Sequence, residues 1–485
     1  MQRQPSSKTA GDYPLEVDPQ QLESWFVALS SRLVAHIASL GEQPAGYLGD
    51  GREVAQLIKA PMPEEGERDF ESILTFLFDD VVPTSFNAAG PGYLGYIPGG
   101  GLPHTALADA FSAGVNRYVG VWAAAPGLAQ IEIEVADWFC RMVGYPMSSC
   151  GILTSGGSLS NLSAIVVARE EKLGEDFADG MVYFSGEAHY CVRKSARIAG
   201  LRESSLSQVA VDGEYRMDLD DLEERIAADR ARGKKPFLLV GSAGTTNTGA
   251  VDDLLRLSEI AKRENLWFHV DAAYGGFFQL TERGQSQLRG IENSDSVTLD
   301  PHKGLFTSYG TGALLVREAE HLRQAHSERS DYMPPYQETD DGPLRFDFCE
   351  YGPELSRGFR GLRVWLPFQL HGARAFREQL DEKLDLAQYA FEELSQWPDL
   401  EILAEPQLST FAFRYHPADC AEDRLNALNE AWLSKIMSRQ RVFLTSTLLQ
   451  GRFAIRICVL SFRTHRDRID ECLTILKEEL PDLDC

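Results

Sequence analysis

The sequence has little that would place the protein on nucleic acid or in a membrane. It carries 47 Lys and Arg against 72 Asp and Glu, a formal net charge of −25, and such a field repels nucleic acid and anionic membranes. It still leaves room for a small basic patch that binds a phosphate. No window approaches the roughly 20 uncharged apolar residues of a membrane span, and the polar N-terminus contains no apolar signal core.

Paired cysteines are also missing. The eight cysteines are scattered and none forms a CxxC pair, which indicates neither a zinc site nor a small disulfide framework. We therefore expect free thiols in a reducing compartment and a cytoplasmic protein with no bound metal. The length of 485 residues predicts two or three domains around a large core.

Between about residues 103 and 320, short apolar runs alternate with helical patterns. The predicted strands are Met181–Ser185, Phe237–Ser242, Leu266–Val270, Ser296–Leu299 and Gly312–Val316. The predicted helices are Gln130–Met142, Ser158–Glu170, Leu219–Arg230 and Asp252–Arg263. This alternation predicts an α/β fold with a mostly parallel sheet, in which ligands bind at the carboxyl ends of the strands.

The two flanks of this region have different patterns. Helical spacing over 18–40 and 69–78 indicates a helical N-terminal extension. After Gly361, helical patterns at 372–395, 422–438 and 466–479 surround strands near 410–415 and 453–459, which predicts a small α+β domain. We therefore divide the chain into an N-terminal dimerisation segment (1–102), a large cofactor-binding domain (103–360) and a small C-terminal domain (361–485).

Asp271 and Lys303 are the most informative residues. Asp271 ends an apolar run in Trp-Phe-His-Val-Asp-Ala-Ala-Tyr, and Lys303 follows a second run in Leu-Asp-Pro-His-Lys. A lysine can form a Schiff base with the aldehyde of pyridoxal 5'-phosphate (PLP), and an aspartate can keep the pyridine nitrogen protonated. The alternatives are a helix cap for Asp271 and a solvated surface lysine, although a surface lysine rarely follows an apolar strand and an Asp-Pro-His turn.

Three further segments contain residues that could contact the same cofactor. Gly157 and Ser158 open a helix after an apolar run, where backbone N–H groups can close around a phosphate; a plain Ser-capped helix would have the same pattern. Thr246 lies in a loop after a strand and could contact the cofactor, or the loop could be an ordinary connection. His189 follows another strand end, where an imidazole can stack on a pyridine ring, although a lone histidine is more often structural.

Together these motifs resemble the group II PLP-dependent amino acid decarboxylases, the family of aromatic-L-amino-acid, histidine, glutamate and cysteine-sulfinate decarboxylases. The resemblance depends on the order and spacing of His-Val-Asp-Ala-Ala-Tyr and Pro-His-Lys, and it runs from about Ala89 to the end of the small domain. It implies a fold-type I PLP-dependent transferase (aspartate-aminotransferase-like) with a seven-stranded, mostly parallel sheet. It also implies a homodimer with the active site at the subunit interface.

The same resemblance implies the reaction and the residues that carry it. An L-amino acid would lose CO2 through a Schiff base on Lys303 and a quinonoid intermediate, to give the amine. The implied catalytic residues are Lys303, Asp271 at the pyridine nitrogen, His189 on one ring face, and Tyr332, a loop tyrosine that protonates the product carbon. The implied cofactor-binding residues are Gly157, Ser158, His189, Thr246, Asp271, Ala273, His302 and Lys303. The implied substrate residues are Tyr96, Pro98, Gly99, Trp122 and Arg357, with Trp122 in a segment that family dimers place at the interface.

Three residues depart from the family pattern. Asp300 stands where many relatives have Asn, and a carboxylate near a phosphate is unfavourable unless it points away or meets a donor, so we do not assign it to the phosphate. Gly304 and Gly120 stand where the animal aromatic decarboxylases have Trp and Phe. The substrate identity of those enzymes is therefore not carried over to this chain.

The substrate and the product remain open at the level of sequence. Tyr93, Tyr96 and Trp122 suit an aromatic side chain, whereas Arg117 and the arginines of 357–363 suit an acidic one such as glutamate, aspartate or cysteine sulfinate. We favour the aromatic class. An aldehyde synthase on the same scaffold is the main alternative, but such enzymes tend to change the loop tyrosine or the stacking histidine, and both are present here. An aminotransferase, a carbon–sulfur lyase and a non-enzymatic scaffold fit the motifs less well.

Overall fold

The computed structural model describes residues 13, 15–328, 346–418 and 420–480. Within these residues the chain forms N-terminal helices, a seven-stranded sheet and a four-stranded sheet. No helix among them is long and apolar enough to cross a membrane. The arrangement agrees with the α/β architecture that the sequence predicts.

The N-terminal segment is helical, as predicted. Helix α1 (Pro19–Ser39) begins at Asp18, whose side chain accepts hydrogen bonds from the first backbone N–H groups. A short helix α2 (Gly51–Ile58), which the spacing did not predict, follows it. Helix α3 (Phe70–Thr75) continues into a π-helical turn over Phe76–Val81.

The large sheet contains seven strands in the order β1-β7-β6-β5-β4-β2-β3. The strands are β1 (Cys150–Thr154), β2 (Gly180–Ser185), β3 (Leu206–Val209), β4 (Lys235–Ser242), β5 (Trp267–Asp271), β6 (Ser296–Leu299) and β7 (Gly312–Val316). Only β7 runs against its neighbours β1 and β6, and the pairs among β2 to β6 are parallel. The five predicted strands are confirmed, and β1 and β3 complete the sheet.

Helices cover both faces of this sheet. They are α4 (Pro103–Val115), α5 (Pro126–Met142), α6 (Gly157–Leu173), α7 (Cys191–Ile198), α8 (Leu219–Ala231), α9 (Leu254–Glu264), α10 (Glu282–Gln287), α11 (Pro301–Gly304) and α12 (Ala319–His326). Successive strand residues enter two different core clusters, for example Trp267 one and Phe268 the other. This follows from the two-residue period of a strand, and it explains why the strands read as continuous apolar runs.

The C-terminal part is the predicted small α+β unit. Its antiparallel sheet has the order β10-β11-β9-β8. The elements are α13 (Gly361–Ser395), β8 (Leu400–Ala404), β9 (Thr410–Tyr415), α14 (Glu422–Ser438), β10 (Thr445–Leu449), β11 (Arg452–Cys458) and α15 (Arg466–Glu478). Helix α13 bends at Gly372, which has a φ of +69°, and strands β8 and β10 were not predicted from the sequence.

One edge of the large sheet collects the carboxyl ends of six strands. Because β7 is antiparallel to both β1 and β6, strand β1 runs in the same direction as β2, β3, β4, β5 and β6. Their carboxyl ends therefore lie at a common edge, where an α/β sheet binds its ligands. Five of these six strands have a selected residue at the carboxyl end or after it, namely Ser158, His189, Thr246, Asp271 and Lys303, and β3 has none.

Candidate active site

A cavity of about 270 Å³ opens at this edge of the sheet. It is lined by all eight residues predicted to bind the cofactor, namely Gly157, Ser158, His189, Thr246, Asp271, Ala273, His302 and Lys303. The structure thus brings together residues that span positions 157 to 303 of the sequence. These residues lie at or after the ends of five different strands, so their convergence depends on the strand order of the sheet.

Lys303 lies in the short helix α11, one turn after Asp300. Its Nζ is 2.8 Å from Asp300 Oδ2, and the Asp300 side chain is 3% exposed. Burial alone would lower the pKa of the Lys303 amine, but the charge and hydrogen bond of Asp300, with Asp271 adding to them, raise it. Asp300 therefore meets a donor, which is one of the two conditions set for a carboxylate at this position.

His302 presents one ring nitrogen to the cavity. Its Nδ1 lies 2.6 Å from the carbonyl oxygen of Thr311, so Nδ1 carries the hydrogen and donates. Burial lowers the pKa of His302, despite the opposing charge of Asp300. The neutral ring keeps Nε2 free of hydrogen, at 3.6 Å from Asp300 Oδ2.

The first turn of α6 forms a close backbone surface beside Asp300. Helix α6 starts at Gly157 with no side-chain cap, so the alternative of a Ser-capped helix is not what the structure has. A Cβ at Gly157 would lie 3.0 Å from Asp300 Oδ2 and 3.3 Å from Ala273 Cβ. A Cβ at Gly312 would lie 2.5 Å from the Cα of Gly156. Small residues are therefore required here, and the uncapped N–H groups of a 17-residue helix can hold a phosphate.

A buried chain of hydrogen bonds fixes Asp271 at the end of β5. Asn161 Nδ2 donates to Asp271 Oδ2 at 3.1 Å, and His269 Nε2 lies 2.8 Å from Asn161 Oδ1. His269 Nδ1 in turn lies 2.8 Å from Ser296 Oγ, which accepts from the indole N–H of Trp267 at 2.8 Å. The second carboxylate oxygen of Asp271 accepts from the N–H of Ala273 at 3.2 Å. Burial raises the pKa of Asp271, and the charges of Lys303 and His189 oppose that shift.

His189 and Ala273 both line the cavity, as the predicted stacking pair requires. His189 Nδ1 accepts a hydrogen bond from the N–H of Cys191 at 3.3 Å, which orients the imidazole. Burial lowers the pKa of His189. An imidazole held in this way is a flat and mostly neutral surface, which is what packing on a pyridine ring requires.

A second cavity of about 430 Å³ adjoins the first at His302. Its apolar and aromatic lining residues are Leu40, Pro44, Phe78, Val82, Pro83, Phe86, Ala88, Ala89 and Tyr309. The glycines at 99–101 close one side, and a Cβ at Gly99 would lie 2.0 Å from the carbonyl oxygen of His302. The N-terminal segment therefore contributes a wall to a space that reaches the Pro-His-Lys turn.

The predicted substrate residues are only partly brought together. Gly99 lines the second cavity, and Pro98 is buried just before it. Tyr96 is 54% exposed. Trp122 donates its backbone N–H to Asp347 at 2.6 Å, and it packs beside the core rather than in either cavity.

Arg357 lies away from both cavities. Its guanidinium forms a buried ion pair with Glu132 and also donates to the carbonyl oxygen of Leu153. The Arg357 side chain is therefore already paired within this chain and does not reach the substrate space of this protomer. The predicted loop residue Tyr332 lies outside the described residues, so its role stays a prediction.

Sequence reasoning missed three residues of the site: Asn161, His269 and Arg456. Arg456 is buried in β11 and donates to the carbonyl oxygens of Asn247, Thr246 and Tyr96. Among the described residues no carboxylate pairs with it, and burial lowers its pKa. A charged residue inside the apolar run 453–458, and a histidine two positions before Asp271 on the same strand face, were the available signals.

The donor set of the first cavity fits PLP. It offers a lysine amine for the aldehyde, a carboxylate for the ring nitrogen, and uncapped N–H groups with Ser158 for the phosphate. A model of the pyridoxal-dependent decarboxylase conserved domain matches residues 53–416. The chain belongs to the pyridoxal-dependent decarboxylase family.

Individual members of this family match along most of the chain. An aromatic-L-amino-acid decarboxylase of Bacillus atrophaeus is 33% identical over 446 residues, which is 92% of each chain. A phenylacetaldehyde synthase of Arabidopsis thaliana is 24% identical over 481 residues, or 96% of each chain. The crystal structure of Oryza sativa TDC with PLP and tryptamine superposes with a TM-score of 0.91 at 22% identity, covering 96% of this chain and 99% of that one.

These matches establish the fold and the class of enzyme. The predicted fold-type I architecture is confirmed by the superposition and by the sheet of this chain. This protein is a PLP-dependent amino acid decarboxylase, as the motifs predicted. Its relatives include both decarboxylases and an aldehyde synthase, so the substrate and product need a separate argument.

Proposed function

We propose that this decarboxylase converts an L-amino acid with an uncharged aromatic side chain into its amine and CO2. The observation that carries the proposal is the second cavity beside His302. None of its 19 lining residues is Asp, Glu, Lys or Arg, while nine are apolar or aromatic and three are glycine. An acidic or basic side chain would lose its hydration there without a charged partner, which is costly, whereas an aromatic ring gains from apolar burial.

The arginines of 357–363 that suggested an acidic substrate have partners of their own, and the exposed Arg117 lines neither cavity. Arg357 pairs with Glu132, and Arg360 forms two bonds with Glu354 at 2.7 and 2.8 Å. Arg363 binds Asp109 at 2.6 Å and donates to the carbonyl oxygen of Gly310. Because each guanidinium already meets a carboxylate, these residues support the structure of the 355–363 segment and not the binding of a second anion.

The residues of the first cavity would share the work as follows. PLP, when bound, supplies an electron-accepting ring that lets the bond between Cα and the carboxylate break. Lys303 would hold the cofactor covalently, Asp271 would keep a proton at the ring nitrogen, and Ser158 with the N–H groups of α6 would bind the phosphate. His189 and Ala273 would hold the two ring faces, so that the reacting bond is oriented before it breaks.

Tyr332 would determine whether the product is the amine. We propose that its hydroxyl delivers the proton to Cα, so that Tyr332→Phe forms less amine. The alternative function, an aldehyde synthase, is favoured by the relation to the phenylacetaldehyde synthase. Measuring amine against aldehyde and ammonia from one substrate separates the two. Unchanged amine formation by Tyr332→Phe would remove the tyrosine from the mechanism.

We also propose that the chain divides into domains at 102/103 and 360/361. Helix α4 begins at Pro103 and α13 at Gly361, which supports these boundaries.

We further propose a cytoplasmic homodimer with the active site at its interface. Helix α1 exposes Phe26, Val27 and Val34 at 51%, 60% and 67%. Exposed apolar side chains on one helix suit burial against a second copy. Sedimentation that finds an active monomer would contradict the dimer.

The test of function is a substrate panel. Purified protein with PLP is given aromatic, acidic, sulfinic and diamino acids, and CO2, amine, aldehyde and ammonia are measured. We expect CO2 and an equal amount of amine from an aromatic amino acid. CO2 from an acidic or diamino acid alone would contradict the substrate class, and CO2 with aldehyde and ammonia would contradict the product.

A further inference from the structure

The Asp300 carboxylate contacts Lys303 through one of its two oxygens. Its Oδ2 lies 2.8 Å from Lys303 Nζ, while its Oδ1 is buried and has no hydrogen-bond partner among the described residues. The backbone carbonyl of Asp300 also accepts from the N–H of Lys303 at 2.8 Å. The carboxylate and the amine are thus held together by one turn of backbone as well as by their own contact.

We propose that Asp300 is a positioning residue that holds the Lys303 ammonium in a direct ion pair whenever the lysine is not attached to PLP. The proton stays on Nζ in this pair, so Asp300 keeps the unattached lysine protonated and in place. The inference deepens the proposed function, since it rests on Lys303 as the attachment point.

The other polar groups beside Lys303 have hydrogen-bond partners of their own. Asp271 already accepts from Asn161 and from the N–H of Ala273. His302 Nδ1 donates to the carbonyl oxygen of Thr311, and its Nε2 lies 3.6 Å from Asp300, farther than Nζ. Among the described residues, Lys303 is therefore the nearest cation to Asp300, and Asp300 forms the direct ion pair with Lys303.

The chemical nature of residue 300 is what the proposal depends on. An asparagine, which many relatives have here, could accept a hydrogen bond from Nζ but could not balance its charge. The raised pKa of the Lys303 amine agrees with a carboxylate partner that outweighs burial. Lys383 is a useful contrast: burial lowers its pKa, although it lies 2.8 Å from Glu382.

The test follows Lys303 in the full-length, cofactor-free protein. Wild type, Asp300→Asn and the control Asp229→Asn are treated briefly with acetic anhydride between pH 7 and 10, and acetylation of Lys303 and Lys383 is measured by mass spectrometry. Asp229 is a buried aspartate that accepts from Tyr183 and Arg232 and lines neither cavity. Only an unprotonated amine reacts, so the rate against pH reports the pKa of each lysine.

We expect Asp300→Asn to raise Lys303 acetylation at pH 8 by about tenfold or more, the factor for a pKa lowered by one unit. Lys383 should be unchanged in both variants, and Lys303 unchanged in Asp229→Asn. An equal rate at Lys303 in wild type and Asp300→Asn would overturn the proposal. If Asp300→Asn does not fold, wild type alone is informative: Lys303 titrating above Lys383 and above an ordinary lysine supports the pair, and Lys303 titrating below an ordinary lysine overturns it.

The substrate panel keeps this inference separate from the function. A wild type that produces CO2 while Asp300→Asn leaves the Lys303 titration unchanged would refute the role of Asp300 and leave the decarboxylase intact. A Lys303 titration that shifts as expected, in a protein that decarboxylates nothing, would support the pair and refute the proposed function.

Discussion

Asn161 points its amide at Asp271, with Nδ2 3.1 Å from Oδ2. An ionised Asp271 can only accept, so Asn161 Oδ1 faces His269 and accepts from His269 Nε2. Burial lowers the pKa of His269, so the ring is neutral and its Nδ1 accepts the hydrogen of Ser296, whose oxygen accepts from the Trp267 indole. With a neutral His269, one arrangement of hydrogens satisfies the whole chain.

The first prediction concerns the amide at position 161. Asn161→Ala removes a hydrogen bond to a buried carboxylate, which is worth about 1.5–3 kcal/mol. We expect PLP to bind about tenfold to a hundredfold more weakly, with Asp271 less well oriented for the ring nitrogen. Fluorescence or absorbance titration of the cofactor-free variant measures this affinity. Asn161→Asp keeps the shape but places a second carboxylate against Asp271, so it should bind PLP no better than Asn161→Ala. Wild-type affinity in both variants would show that the contact is unimportant.

The second prediction concerns pH. Burial lowers the pKa of His269 to about 3 from an ordinary value of 6.5. Above pH 6.5 the ring is neutral in both the folded and the unfolded chain, so it contributes no pH dependence. Below pH 6.5 His269 takes up a proton in the unfolded chain but not in the folded chain, so the free energy of unfolding falls as pH falls towards 3. The contribution at pH 5 is about 2 kcal/mol, at 1.36 kcal/mol per pH unit.

His269→Gln should therefore lose part of the acid sensitivity of the fold. Urea denaturation of the cofactor-free protein at pH 7.5 and pH 5.0 measures it, with wild type and variant compared at each pH. We expect the wild type to lose more stability than His269→Gln between the two pH values, although the variant starts lower because its hydrogen-bond chain is broken. An equal loss in both proteins would mean that His269 is protonated in the folded state.

The sequence predicted the cofactor-binding residues better than it predicted the residues that surround them. Lys303, Asp271 and His189 follow strand ends, and the parallel sheet that makes strand ends converge was predictable from the alternation of runs and helices. Arg456 could not be placed, because it comes from strand β11 of the four-stranded sheet and reaches the Thr246 loop only through tertiary packing. Arg357 was misleading for the same reason, since its partner Glu132 is 225 residues away in the chain.

The third prediction tests the close packing at the start of α6. Gly157→Ala would place its Cβ 3.0 Å from Asp300 Oδ2 and 3.3 Å from Ala273 Cβ, in the space where the N–H groups face the cavity. We expect weaker binding of PLP and of inorganic phosphate, with folding retained. Gly213→Ala is the matched control, because a Cβ there meets nothing within 4 Å. Equal phosphate affinity in Gly157→Ala and Gly213→Ala would mean that the first turn of α6 does not hold the phosphate.

The last prediction explains why glycine follows the lysine in this chain. A Cβ on Gly304 would lie 2.7 Å from the Cβ of Phe277, which is fully buried in the core. Gly304→Ala should therefore destabilise the protein by about 1–3 kcal/mol, the usual cost of overpacking, and Gly304→Trp should do so more severely. Urea denaturation of the cofactor-free variants measures the loss.

If the contact with Phe277 is the cause, the two positions are coupled. Phe277→Gly alone opens a cavity and costs stability, but it also removes the Cβ nearest to residue 304. In that background the added cost of Gly304→Ala should fall close to zero. A full cost of Gly304→Ala in both backgrounds would place the strain elsewhere, for example in the turn of α11 that carries Lys303.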